Sequence, residues 1–323
     1  MITVIIPYFQ RSPGILAKAL VSIAAQKSCP LLVHVIVVDD ASPAPAGPEI
    51  ASAGTMPHTV QVVKQPNGGP GAARNTGLDN APPGTRYIAL LDSDDEWTTD
   101  HLARAVAALD SGFDFYFADH YQLDQTTSAF LRAGRIQPTE HPALPNLPTG
   151  LLAYQGDMLG QIIQGNLIGT STVVYSFQRF ATQRFKVEFT NAGEDYLFWM
   201  ELVHSGAKIA FSTHSEAKYG KGVNVYAGAG WGSEQHLLRV HNELKYRKTT
   251  AKLFALTTTQ ASHIATSLRD LRIAFIRDLI HRILHRKKLP RKLLAMHLEL
   301  DPMTYVHAPI ILMKLIFNKL SKE

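Results

Sequence analysis

The first apolar runs of the chain are short and rich in β-branched residues. They are Ile2–Pro7, Val33–Asp39, Thr59–Lys64 and Tyr87–Leu91. Each is too short for a helix and has the length of a buried strand. Helical stretches separate them. Ser12-Pro13 reads as an N-cap and first helical position, opening a helix to about Gln26. The turn Asn67-Gly68-Gly69-Pro70-Gly71 leads into a helix from Ala72 to about Asp79. Strand and helix in alternation predict a parallel sheet with right-handed crossovers, the doubly wound α/β class. In such sheets ligands bind outside the carboxyl ends of the strands. Asp39-Asp40 and Asp92–Asp95 both fall there.

Downstream the pattern is looser. Gln137 to Gly150 is proline-rich and reads as a surface loop. Ser171–Ser176 and Ala207–Phe211 read as strands, and Glu194 to His204 as a helix. Gly220 to Gly232 is glycine-rich, contains Tyr226 and Trp231, follows Tyr219, and suits a mobile loop. Helical periodicity resumes at about Ser233. Ile264, Leu268, Leu271, Phe275, Leu279 and Ile283 form one apolar stripe. Packing against the preceding domain is the first expectation for that stripe, and a membrane face is the second.

Composition narrows the class. Hydrophobic residues at 46% and charged residues at 18% describe a globular chain with a sizeable core. Cys29 is the only cysteine, so no intramolecular disulfide is possible and a buried apolar role is expected for it. The N-terminus lacks a basic region and reads as a strand rather than a signal peptide. The most apolar late stretch, Ala308 to Phe317, is shorter than a spanning helix and contains Lys314. A cytoplasmic protein is expected, at most peripheral at the inner face of the plasma membrane. The net charge of +5 is concentrated late, with nine Lys or Arg between Arg269 and Lys292 against Asp270 and Asp278. Nucleic acid, anionic lipid and a solvated helix face all fit that charge. No nucleic-acid motif accompanies it, so no nucleic-acid partner is expected.

Three stretches carry candidate chemistry. Asp92, Asp94 and Asp95 crowd like charges at a strand end, which suits a hard divalent cation that also chelates a diphosphate. An ordinary acidic turn explains them equally well. Arg74, early in the helix after the Gly-rich turn, suits phosphate together with the backbone N–H groups there. Glu194-Asp195 opens a helix, where the dipole favours acids, and one of the two is a candidate general base.

Taken in order, Val4-Ile5-Ile6-Pro7-Tyr8, Val37-Val38-Asp39-Asp40-Ala41-Ser42, Gly71-Ala72-Ala73-Arg74-Asn75, Leu91-Asp92-Ser93-Asp94-Asp95 and Gly193-Glu194-Asp195 resemble the motifs of family-two inverting glycosyltransferases of the GT-A fold. Asn166 to Thr172 is similar to the family segment before the Glu-Asp helix. The nearest flavour is bacterial exopolysaccharide and cell-surface glycan synthesis. The resemblance implies a GT-A catalytic domain over residues 1–245, with a nucleotide-sugar half at 1–130 and an acceptor half at 131–245, followed by a basic helical extension at 246–323. It implies that Pro7, Tyr8 and Phe9 wall the base, Asp40 bonds it, and Arg74 lies beside the nucleotide. Asp92 and Asp94 form the Asp-x-Asp pair, with Asp94 on Mn²⁺ or Mg²⁺ and Asp95 close to the donor. Asp195 becomes the base, and His241, in Arg239-Val240-His241, meets metal or diphosphate.

The implied donor is a nucleoside-diphosphate sugar, with UDP the default. The acceptor is a glycan or lipid-linked saccharide. The Gln-x-x-Arg-Trp motif of processive members is missing after Asp195, so one sugar per encounter is expected. A sugar nucleotidyltransferase and a catalytically silent nucleotide- or glycan-binding module stand as alternatives. Membrane-surface contact through Arg286-Lys287-Lys288, Arg291-Lys292 and Pro309–Leu320, or homo-oligomerisation, is a further expectation for the tail.

Overall fold

A computed structural model describes residues 1–122, 124–189, 193–222, 230–233 and 235–313. The first half alternates as read: β1 (Ile2–Tyr8), α1 (Leu16–Ala24), β2 (Val33–Asp39), α2 (Ala46–Ser52), β3 (Thr59–Lys64), α3 (Gly69–Asp79) and β4 (Tyr87–Leu90). Then come β5 (Glu96–Trp97), α4 (His101–Asp110), β6 (Phe115–Tyr121), α5 (Ala129–Ala133), β7 (Leu151–Ala153), α6 (Met158–Gln164), β8 (Val174–Ser176), α7 (Glu194–His204) and β9 (Ile209–Lys218). The C-terminal helices are α8 (His236–Leu253), α9 (Thr258–Leu284), α10 (Arg291–Leu300) and α11 (Pro302–Val306).

The strands form a nine-stranded sheet in the order β3-β2-β1-β4-β8-β6-β9-β5, with β7 also on β9. β3, β2, β1 and β4 are parallel. β8 runs antiparallel to both β4 and β6, so the second half of the sheet is mixed. Alternation within strands explains the layers. Val4, Ile6, Tyr8, Val35 and Val37 point into a core with Leu16, Leu20 and Ile23 of α1 and Leu102 and Val106 of α4. Ile36 and Val38 point the other way, onto Ala73 of α3. Helices therefore cover both faces. β6 and β9 are locked together by Glu216, which is 1% exposed and accepts from His101, Arg104 and Tyr116. A buried carboxylate is tolerated there because each oxygen is paired.

Several local readings need correction. The helix predicted from Ser12 begins at Leu16, because Gly14 sits at φ +87, which right-handed helix excludes. α3 starts earlier than Ala72, at Gly69. The run Ser171–Ser176 is a 3₁₀ turn at Thr170–Thr172 followed by the short β8. β9 extends to Lys218, far beyond Phe211, with its polar residues Ser212 and Glu216 buried against partners. The proline-rich loop holds a 3₁₀ turn at Pro138–Glu140. Cys29 is half-buried, and burial pushes its thiol up, as fits an unreactive side chain.

The chain divides into two compact units, residues 1–190 with 194–224, and 191–193 with 225–323. α8, which a boundary at 245 would cut, belongs whole to the second. In that unit Leu237, Val240 and Leu244 of α8 pack on Leu271 and Phe275 of α9, with Leu293 and Leu294 of α10 beside them. The apolar stripe of α9 is therefore covered by neighbouring helices as far as Phe275, while Ile283 is exposed. Trp231 packs against His281 and under Arg277. Most of the Gly220–Gly232 stretch, with Tyr226, and the tail from Lys314 lie outside the described residues. No described helix is long and apolar enough to cross a membrane.

Candidate active site

The register of the parallel strands brings the acidic strand ends together. Tyr8 pairs with Asp39, and Ile5 with Leu90, so β1, β2 and β4 finish side by side. Asp39 accepts from the backbone N–H of Ser42 and Ala46, an acid-closed turn. Asp40 reaches the Gly-rich turn. Its Oδ1 accepts from Gly68 N (2.8 Å) and Gln65 Nε2 (2.7 Å), and its Oδ2 from Gly69 N (2.9 Å). Two signals that were separate in sequence are thus one latch, fixing the start of α3. Pro7 and Phe9 are half-buried, whereas Tyr8 is buried within the core.

α3 carries Arg74 inward. The guanidinium is 3% exposed and lies between two carboxylates, 2.7 Å from Asp92 Oδ1 and 3.2 Å from Glu194 Oε1. Burial opposes its charge, but Asp92, Glu194 and Asp195 outweigh that and raise its pKa. Arg74 therefore ties the end of β4 to the start of α7. Glu194, which the sequence places only as a neighbour of the base, becomes the second partner of this cation. Burial and Asp195 push the Glu194 carboxyl up to about 7, against the pull of Arg74.

The Asp92–Asp95 turn is held from both sides. Ser171 Oγ accepts from Asp92 N (3.0 Å) and donates to Asp95 Oδ2 (2.5 Å), and its carbonyl accepts from Trp97 Nε1 (2.5 Å). From the far end of β9, Gly220 N donates to Asp95 Oδ1 (3.0 Å) and Gly222 N to Asp94 Oδ2 (2.8 Å). Glycine is required at 220, since a Cβ there would lie 1.7 Å from the Asp94 carbonyl oxygen. The glycine run was the signal for this cover, although sequence reads it only as a loop. Both Asp95 oxygens are engaged, which makes it a support of the turn. Asp94 keeps one oxygen free of these bonds, and Asp92 is 34% exposed. Burial and the charge of Asp92 raise Asp94 to about 6.

Crowded, partly free carboxylate oxygens of this kind suit a divalent cation. Among the described residues no three His, Cys, Asp or Glu side chains form a ligand set. An ion such as Mg²⁺ needs only one or two carboxylates when substrate phosphates and water complete its shell, so Asp94 and Asp92 fit. His241 belongs to the helical unit. It is buried, with Nδ1 3.1 Å from His297 Nδ1.

Asp195 begins α7 half-buried. Its Oδ1 accepts from Tyr196 N (2.8 Å) and its Oδ2 from Thr170 Oγ1 (3.2 Å). Burial raises its pKa, against Arg74 and these two donors. Asp92 and Asp195 line the same cavity, of about 510 Å³, together with His120, Gln122, Arg132, Arg135 and Tyr219. Those last five residues carry no sequence motif.

Comparison with known proteins bears on the family and the fold. The model of the family described as "Glycosyl transferase family 2" matches residues 3–181. The chain is 35% identical over 246 residues to the succinoglycan biosynthesis protein ExoW of Rhizobium meliloti (strain 1021), covering 75% of each chain. Among solved structures it is similar to S. aureus TarS 1–349 in complex with UDP-GlcNAc, with TM-score 0.58, 18% identity, and coverage of 96% of this chain and 87% of that one. It is also similar to the mannosyltransferase PcManGT from Pyrobaculum calidifontis in complex with GDP-Man and Mn²⁺, with TM-score 0.56, 16% identity, and coverage of 100% and 88%. At these identities the two structures establish the GT-A fold. The family model spans more than half of the sequence, with the strand-end carboxylates inside it, and the chain belongs to glycosyltransferase family 2.

Proposed function

We propose that this chain transfers one sugar from a nucleoside-diphosphate donor, UDP first among them, to a hydroxyl of a glycan or lipid-linked saccharide, with inversion at the anomeric carbon. The observation that carries the reading is the joint placement of Asp92, just past the carboxyl end of β4, and Asp195, at the start of α7, in one polar cavity. Exopolysaccharide synthesis is the favoured setting, because the relative ExoW bears a succinoglycan name.

In this reading Pro7 and Phe9 wall the base, and Asp40 acts by holding the Gly68-Gly69 turn against it. Asp94, with Asp92, would hold a divalent cation, Mn²⁺ or Mg²⁺, which when bound supplies positive charge to the leaving diphosphate. Arg74 keeps Asp92 and α7 in register rather than reaching phosphate, since both of its ends are paired. Asp195 takes the acceptor proton as the acceptor oxygen bonds the anomeric carbon and the bond to the diphosphate breaks.

The helical unit supports a second element of the proposal. Leu238, Leu289 and Met296 are exposed and line a groove with Lys288, Arg291 and Lys292. Apolar side chains ringed by cations suit an anionic membrane surface, where a lipid-linked acceptor would be found.

The deciding experiment screens nucleotide sugars with Mn²⁺ or Mg²⁺ for release of nucleoside diphosphate. Release is expected to vanish in Asp94→Ala. In Asp195→Asn turnover falls by about 10²- to 10⁴-fold while UDP binding persists. Unchanged turnover in Asp195→Asn removes the base, product with retained configuration removes the displacement, and silence across the panel without nucleotide binding removes the function.

A further inference from the structure

The cavity that contains Asp195 holds two cations that the mechanism does not use. Arg132 lies in the last turn of α5, and Arg135 follows Gly134, the left-handed residue that ends the helix. Both line the cavity with Asp195, Gln122, Asn166 and Thr170. Neither makes an ion pair among the described residues, although Asp92 and Asp195 share the same walls.

Their partners are neutral oxygens. Arg132 Nη1 donates to the Thr127 carbonyl (2.6 Å) and Nη2 to Gln122 Oε1 (2.6 Å). Arg135 Nη2 donates to the Gly165 carbonyl. A guanidinium has five N–H donors, so each keeps unused ones. Neutral acceptors orient a guanidinium without cancelling its charge. Burial also works against the Arg135 charge, and no carboxylate offsets it.

The support beneath them is packed and hydrogen-bonded. Phe130 of α5 sits in the aromatic core with Phe117 and Phe211, and Phe130 N donates to Asp119 Oδ1 on β6. Gln161 of α6 donates to the Arg135 carbonyl. These bonds orient the half-buried Arg135 and the more exposed Arg132 before a ligand arrives, which lowers the ordering cost of binding.

The side of the cavity matters. None of the residues assigned to the nucleobase, Pro7, Phe9 or Asp40, lines it, and Asp92 is the only contributor from the β1–β4 half. The other walls, among the described residues, come from the end of β6 and α5 with the residues just after them, from residues 166–170, from the start of α7 and from Tyr219.

We propose that Arg132 and Arg135 form an anion subsite in the acceptor half of the cavity, binding a phosphate or carboxylate borne by the acceptor away from the hydroxyl that Asp195 deprotonates. The inference rests on the glycosyltransferase reading above. Two sources share this chemistry: the phosphate of a lipid carrier and an acidic substituent on a sugar.

The test uses the full chain saturated with UDP, so that the donor phosphate site is filled. Methyl phosphate, methyl β-glucuronide and neutral methyl β-glucoside are titrated by saturation-transfer NMR on the methyl protons. Binding of methyl phosphate alone assigns the carrier phosphate, and binding of the glucuronide alone assigns an acidic sugar. In either case Arg132→Gln and Arg135→Gln each weaken the anion about tenfold and the double variant about a hundredfold, with UDP affinity unchanged. Arg132→Lys and Arg135→Lys should retain part of the binding and keep the question answerable if the double variant does not fold. Three outcomes overturn the subsite: no anion binds in the presence of UDP, UDP displaces the anion, or the variants bind it like wild type. Failure of UDP itself to bind counts against the glycosyltransferase reading instead.

Discussion

Arg74→Ala is the sharpest perturbation this structure offers, because it removes one cation from between two carboxylates of unlike exposure. The Asp92 side chain is 34% exposed and can fall back on water, whereas that of Glu194 is 9% exposed. Even with Arg74 present, the Glu194 carboxyl lies at about 7 against an ordinary 4.5. That difference disfavours its ionised form by on the order of 3 kcal/mol. A folded pKa raised above the unfolded one gives stability that is full below 4.5 and is lost as pH rises through about 7. Without Arg74 the Glu194 pKa moves higher still, so the loss continues to higher pH.

The penalty of the variant must therefore grow with pH. At pH 5.5 Glu194 is protonated in both folded proteins, leaving the Asp92 contact and a cavity, about 1–2 kcal/mol in all. At pH 8 the penalty should reach about 3 kcal/mol, the lower end for breaking a buried pair. Urea unfolding of wild type and variant at pH 5.5, 6.5 and 8, compared at each pH, measures this directly. A penalty that is flat with pH, or below about 0.5 kcal/mol at pH 8, would refute the coupling of Arg74 to Glu194.

Two further outcomes follow from the helical unit. His297 is buried, stacks 3.6 Å from Phe275, and is lowered to about 4 by burial and by His241. Its unfolded form binds a proton below about 6.5, so stability present above that pH is lost as pH falls toward 4, by on the order of 3 kcal/mol. His297→Gln should flatten this slope in urea titrations between pH 7.5 and 4.5, and an unchanged slope would exonerate His297. For the basic groove, the full chain should float with vesicles containing anionic phosphatidylglycerol and not with neutral ones. Lys288→Glu with Arg291→Glu should abolish flotation, and equal flotation with both vesicle types would end the membrane proposal.

Local pattern carried much of this protein. β2, β3 and α7 have the bounds that the apolar runs and first-turn acids predict, because period and length act within a few residues. The placing of Asp39-Asp40 and Asp92–Asp95 at strand ends is likewise local, since it follows from where the runs stop. Element boundaries failed where backbone conformation decided, as at Gly14.

What remained hidden were the pairings. β6 and the polar half of β9 give no clean alternation, because Glu216 and Ser212 are buried against partners distant in sequence rather than exposed. Sequence places Arg74 beside phosphate, and only the fold shows its ion pairs with Asp92 and Glu194. The resemblance places Asp40 at the base, and only the fold shows its bonds from Gly68 and Gly69. The uncompensated charges of Arg132 and Arg135 were invisible for the same reason: a sequence states which residues are charged, but only packing decides which charges meet and which are left facing a cavity.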